Sequence, residues 1–384
     1  MSERPRPDTI MSYLRGFWLL GMLLAGGCAT LADLDHTYEI NGGEGGAGGS
    51  GGSGGLPSSP YLYRRPIAIT TGAAEVPPDY SIALQLDHAS LVQNNKSLPN
   101  GDDLRIYRES KGIFEELHRR LDPTSAWNTG TTTLWFRLKA GIPASATDAR
   151  YYLFYGDPAA PVPPVDGSEV YLFWDDFTSP TLDPDWTLLP IGGATGMAVM
   201  TGVAVAITAS TGDIWDTEDS FVFLYRPVTG DFMADAVVTV VTGESGASGK
   251  LGGVMIRESL VSNSRHRLMS PVYSAKARTN GYRLQDGGST SEQIVSGSLN
   301  VPEIDHVTRI GDRSNAYFTS AGQAFKELGD EITFLAPLSP TILVGIPVAN
   351  VSPGSVTVTV DWFRIRRLVD PEPKASLLPE EPGK

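Results

Sequence analysis

Two carboxylates on one face of a strand are a simple apparatus for cutting a glycosidic bond. Alternate strand residues share a face, and hydrolysis needs a pair of carboxyls flanking the scissile bond. The stretch Trp215-Asp216-Thr217-Glu218-Asp219 offers Asp216 and Glu218 at that spacing, without a third acid in step. Other chemistries find less. His36, His88, His118, His266 and His306 show no metal-ligand spacing, and no Gly-x-Ser-x-Gly elbow is present. The Gly243–Gly249 loop runs into Lys250, but Leu251 follows the lysine, so a hairpin loop fits better than a phosphate loop. Asp102-Asp103 reads either as a calcium corner or as the cap of a turn. Trp127 and Trp135 have faces suited to sugar stacking, although Trp135 lies within a strand pattern and reads as core.

The single cysteine, Cys28, follows an apolar run from Phe17 to Ala25 and the small residues Gly26-Gly27. Arg4, Arg6 and Arg15 precede that run as the basic part of an export signal would. The run is too short for a membrane span of roughly 20 residues. It resembles a bacterial lipoprotein signal, in which the cysteine is acylated and becomes the new N-terminus. The resemblance implies lipidation at Cys28, and Ala29 after it implies the outer membrane or cell surface, with the lipid bilayer as a partner. Two or more acyl chains give a stable anchor, at about 0.8 kcal/mol per buried CH₂. An acylated Cys28 leaves no thiol for disulfides, thiolate metal sites or cysteine catalysis.

Gly42 to Gly55 is almost entirely glycine and serine and reads as a flexible tether. With its polar flanks it gives a typical reach of ~30 Å. The formal net charge is −14, and the leader carries three arginines against Glu3 and Asp8, so the body is slightly more acidic still. Such a surface argues against nucleic acid as a partner.

The remaining pattern is all-β. Residues 58–160 carry short alternating segments: Ile82, Leu84 and Leu86 point one way, Ser81, Ala83 and Gln85 the other. One helical turn is expected near Glu115–Arg120. Four stretches in this region carry a family likeness. They are Tyr63-Arg64-Arg65-Pro66-Ile67, Gly101-Asp102-Asp103-Leu104-Arg105-Ile106-Tyr107, Thr133-Leu134-Trp135-Phe136-Arg137-Leu138 and Tyr152-Leu153-Phe154-Tyr155-Gly156-Asp157-Pro158. Together they resemble domain-of-unknown-function family 2341, for which no activity is established as a class. Residues 161–169 are a stiff Pro-rich linker.

Residues 170–368 read as a second sandwich, and residues 369–384 as a disordered tail. Phe173-Trp174-Asp175-Asp176-Phe177, Gly253-Val254-Met255-Ile256-Arg257-Glu258 and Val360-Asp361-Trp362-Phe363-Arg364-Ile365 resemble concanavalin-A-like lectin/glucanase domains near family 1349. The predicted architecture is therefore two tandem jelly-roll-like β-sandwiches, after a signal peptide (1–27) and a lipidated linker (28–57). The second resemblance implies a sheet that presents aromatics and arginines to a saccharide, with Trp215, Arg257, Tyr282 and Arg283 as ligand-binding candidates. It also implies a possible structural calcium on Asp176 and Asp361. Arg257 shares a strand face with Met255, opposite Val254 and Ile256, so it either lines a wet surface or is paired with an acid. The leading expectation is an envelope lipoprotein that binds glycan or matrix without cutting it. A carbohydrate-active hydrolase using Asp216 and Glu218 is one alternative. A structural protein that docks to an envelope partner is the other.

Overall fold

A computed structural model describes residues 60–243, 249–272, 277–296, 301–320 and 326–383. The signal, Cys28 and the glycine tether lie outside the described residues. The described residues form one compact unit, and every strand pair in its sheets is antiparallel.

The first sandwich faces a three-stranded sheet against a larger one. The smaller sheet runs Ser81–Leu86, Thr132–Arg137, Arg119–Leu121. The larger is ordered Lys374–Leu377, Tyr63–Thr70, Thr147–Tyr155, Arg105–Ser110, Ile113–Leu117. Ile82, Leu84 and Leu86 meet Ile67, Ile69, Ile106 and Leu153 in the core, as their period of two requires. The helical turn expected near Glu115–Arg120 is instead two strands, because Lys111-Gly112 turns the chain with both φ angles positive. The one α-helix among the described residues is His88–Gln93, whose first turn is capped by the Asp87 carboxylate 2.9 Å from Ser90 N.

The tail corrects the expectation of disorder. Lys374–Leu377 pairs with Ile67–Thr70, and Glu381–Pro382 pairs with Tyr63-Arg64. The tail thus completes an edge that Tyr63–Thr70 would otherwise leave bare. Arg64 binds Glu381 at 3.0 Å and Lys96 binds Glu380 at 2.6 Å. Such pairing needs a neighbouring strand, which tail composition alone cannot reveal.

The second sandwich packs an eight-stranded sheet on a seven-stranded one. The first contains Phe232–Gly243, Glu303–Arg309, Ala316–Ser320 and Val356–Arg367; the second contains Val254–Arg257, His266–Val272, Ala277–Arg283 and Thr341–Val348. Val356, Val358 and Val360 face inward with Val254, Ile256 and Ile346, while the intervening Thr357 and Thr359 face out.

The two sandwiches pack directly on each other. The Pro-rich segment is pinned along the first one: Arg119 N donates to Pro164 O at 3.0 Å, and Asp166 N to His118 Nδ1 at 3.1 Å. Trp135, Val170 and Tyr171 bury one another at the seam. Arg120 lies 4.0 Å from the Trp174 ring centre, Trp174 stacks on Trp362 at 5.4 Å, and Arg364 stands 5.5 Å from both Trp362 and Trp135. This alternation of guanidinium and indole faces ties the two modules together.

Candidate functional site

The predicted binding residues do not gather on one open surface. Arg257, His266 and Arg283 form a row across three neighbouring strands on the outer face of the seven-stranded sheet. A tight hairpin, Ile214-Trp215 paired with Glu218-Asp219, folds over that row. It delivers Asp219, whose carboxylate accepts from Arg257 Nη1 at 2.5 Å and from Arg283 Nη1 and Nη2 at 2.9 and 2.8 Å. All three side chains are fully buried. The arginines are therefore paired with an acid and line no wet surface. His266 stands 3.6 Å from Asp219, and burial pushes its pKa down to about 3. Ile214, Phe221, Phe223, Met255 and Leu268 seal the cluster.

Tyr282 points to the other side of the same sheet, where its ring meets the Arg267 guanidinium at 5.4 Å. Trp215 is half-buried in the hairpin, with Lys250 Nζ 5.4 Å from its ring centre. The hydrolase pair also fails to form. Asp216 has φ +47° and begins the turn, so it and Glu218 are not alternate residues of one strand. The sequence pattern held two acids two apart, but a reversal of direction lies between them.

Each calcium candidate accepts from a nearby threonine hydroxyl. Asp176 accepts from Thr178 Oγ1 at 2.7 Å, and Asp361 from Thr239 Oγ1 at 2.7 Å. Among the described residues, no three His, Cys, Asp or Glu side chains gather to hold a metal ion. Asp102-Asp103 resolves as a turn cap: Asp103 Oδ1 accepts from Leu98 N at 2.8 Å and Oδ2 from Gly156 N at 2.9 Å.

The opposite outer face carries a different row. Trp174, Arg364, Asp235, His306, Tyr317 and Glu327 are successive cross-strand neighbours on the eight-stranded sheet. Asp235 accepts from Arg364 Nε at 2.5 Å and pairs with His306 Nδ1. Beside this row, the first sandwich and the tail close a cleft of about 300 Å³, lined by Asp122, Trp135, Met233, His306, Tyr317, Arg364, Arg366 and Glu372. Trp135 Nε1 donates to Asp122 Oδ2 at 2.6 Å. Arg366 holds Glu372 through two nitrogens, at 2.5 and 2.9 Å, and Tyr80 Oη donates to the same carboxylate at 2.9 Å.

The cleft's charges are locked. Burial alone would raise the Asp122 pKa, but Arg364, Thr124 and Trp135 outweigh it and hold the carboxyl below its ordinary range. Asp235 and Glu372 are lowered in the same way, against burial, by Arg364 with His306 and by Arg366 with Tyr80 respectively. Burial would likewise lower Arg364, and Asp235, Tyr171 and Asp122 reverse that. His306 is held below its usual value by burial, despite Asp235. At neutral pH these acids are anions and the imidazole is neutral. The arrangement offers fixed hydrogen-bond partners and ring faces, and none of the three acids carries a proton to donate.

One acid pair was missed from the sequence. Glu303 and Asp305 alternate on one strand, and both lie buried between the sheets. Arg278 binds Glu303 through Nε at 2.5 Å, and the Asp305 carboxyl lies against that of Glu303. Burial raises Glu303 to about 7, and burial together with Glu303 raises Asp305 well above the usual range. Their Glu-x-Asp spacing was visible in the chain, but nothing local said that this face turns inward.

Comparison with known proteins finds distant structural likenesses alone. No protein-family model matches the chain, and no curated protein matches it. Among solved structures, a functionally unknown protein from Saccharomyces cerevisiae is similar over 48% of this chain and 97% of its own, at 16% identity and TM-score 0.40. A GH43 protein from Bacillus licheniformis is similar over 68% of this chain at 15% identity and TM-score 0.38, and the match spans 52% of that protein's length. The carbohydrate binding module CBM66 from Bacillus subtilis is similar over 45% of this chain and 91% of its own, at 15% identity and TM-score 0.30.

Proposed function

We propose that this chain is a bacterial envelope lipoprotein, anchored through acylated Cys28, whose fused sandwiches bind a saccharide without cleaving it. The binding site in this reading is the cleft between the sandwiches. The observation that carries it is the cleft lining, where the Trp135 and Tyr317 rings stand among paired carboxylates and guanidiniums. Sugars offer apolar C–H faces to rings and hydroxyls to charged partners. A volume of about 300 Å³ lies at the lower end for small-molecule sites. It suits one sugar ring, such as a chain end or a branch, rather than a length of polymer.

Binding fits the site better than cutting. A glycosidase acid must hold a proton at working pH, through a raised pKa. Asp122, Asp235 and Glu372 are all shifted the other way. The glycine tether would hold the body off the membrane surface, and no described helix is long and apolar enough to cross a membrane. The names of the GH43 protein and of CBM66 agree with a carbohydrate ligand, although fold likeness does not transfer function.

An array of envelope and plant polysaccharides and short oligosaccharides tests this reading. Wild-type chain should retain a subset, and Tyr317→Ala should release it while keeping its fold. Silence across the array, or retention unchanged in Tyr317→Ala, rejects the cleft as the site.

A further inference from the structure

A second cavity, of about 250 Å³, lies where the chain enters the second sandwich. Leu172, Phe173, Val228 and Ile365 form its apolar walls, and Arg226 and Arg367 its polar ones. Two arginines sharing one cavity are unexpected in a chain of formal net charge −14.

Their counter-charge is incomplete. The Arg226 guanidinium lies over Phe173, 3.7 Å from the ring centre. Its Nη2 donates to Asp185 at 3.0 Å, but that carboxylate is largely exposed, so solvent screens the pair. Arg226 Nε and Nη1 have no hydrogen-bond partner, and neither has Arg367 Nε. Burial lowers the Arg226 pKa, with Asp185 offsetting only part of it. Arg367 forms no ion pair among the described residues. The two arginines thus meet one carboxylate within hydrogen-bond reach, Asp185, with Asp183 acting on Arg226 from farther off.

We propose that this cavity binds a small organic oxyanion, whose charged end lies on the two guanidiniums and whose body packs on Leu172 and Val228. Planar guanidinium forks match carboxylate, sulfate and phosphate oxygens. The wall opposite is apolar, which favours a ring or short chain over a bare inorganic ion. Two sources share this chemistry: the carboxylate of a sugar acid, and a sulfate or phosphate ester. The site is separate from the inter-sandwich cleft and does not depend on its reading.

Calorimetric titration of the full chain at constant ionic strength, set with sodium chloride, tests the inference. The probes are D-glucuronate, D-glucose, D-glucose 6-sulfate and D-glucose 6-phosphate. Saturable binding of glucuronate without binding of glucose supports the carboxylate source; saturation by either ester with a weaker response to glucuronate supports the ester. In either case Arg367→Gln should weaken binding at least tenfold, Arg367→Lys should fall between, and Tyr317→Ala should leave it unchanged. Circular dichroism and the melting temperature of Arg367→Gln establish that it folds. Absence of saturation by all three anions overturns the inference, as does an affinity unaltered in folded Arg367→Gln.

Discussion

The two outer faces of the second sandwich use the same three residue types to opposite ends. On the seven-stranded sheet, Asp219 sits among Arg257, Arg283 and His266; on the eight-stranded sheet, Asp235 sits between Arg364 and His306. The first set is closed by a hairpin of the same module, which packs Ile214 against Phe221 and Leu268. The second is covered by the first sandwich and the tail, and a cleft of about 300 Å³ remains there. Residue type therefore does not decide whether an arginine is sealed or borders open space; what lies over it does.

The largest effect expected from this contrast is on stability at the sealed face. Asp219→Ala strands two buried guanidiniums, and breaking a buried pair costs about 3–5 kcal/mol. Urea denaturation measures it, and a loss near zero would mean that water reaches Arg257 and Arg283.

The next effect is on the pH profile. Glu303 and Asp305 keep protons in the folded chain that the unfolded chain releases in the ordinary carboxylate range. Stability from this pair is thus full below that range and is lost as the pH rises through about 7. Asp122, Asp235 and Glu372 are shifted downward, so their contribution is full above that range and is lost as the pH falls toward their folded values. Melting temperature against pH should show a maximum on the acid side of neutrality, and Asp305→Asn should flatten its alkaline limb. An alkaline limb as steep in Asp305→Asn as in wild type would remove the pair as its cause.

Smaller still is the change at the open face. Tyr317 is half-exposed, so Tyr317→Ala should cost under about 1 kcal/mol of stability. The same change should weaken saccharide binding roughly tenfold, which corresponds to about 1.4 kcal/mol. Fluorescence titration with whichever oligosaccharide the array retains would read it. The smallest effect belongs to the tail: Glu381→Gln breaks a partly exposed pair with Arg64, worth about 0.2–1 kcal/mol. A loss of several kcal/mol there would mean that the tail strand, rather than the sandwich core, dominates the first module.

Much of the fold was legible in the chain. The period of two in Ile82, Leu84 and Leu86, and in Val356, Val358 and Val360, identifies which residues face the core. That signal is local, because the pleat alone sets it. The position of Arg257 within an alternating strand left two readings, a wet surface or an ion pair, and Asp219 decides for the pair. Asp219 is 38 residues away in the chain, and only the turn at Asp216-Thr217 brings it back over the sheet. The site row could not be read either, since Trp174, Asp235, His306, Tyr317 and Arg364 come from five strands separated by long stretches of chain.

What the amino-acid order settled alone was strand content, core faces and the glycine run over residues 42–55. Each follows from side-chain alternation or from the backbone freedom of consecutive residues. What the tertiary structure decided was which charges are sealed and which border open space, together with the pairing of the tail. Those depend on strand register and on one sandwich lying against the other, and nearest neighbours in the chain carry no record of either.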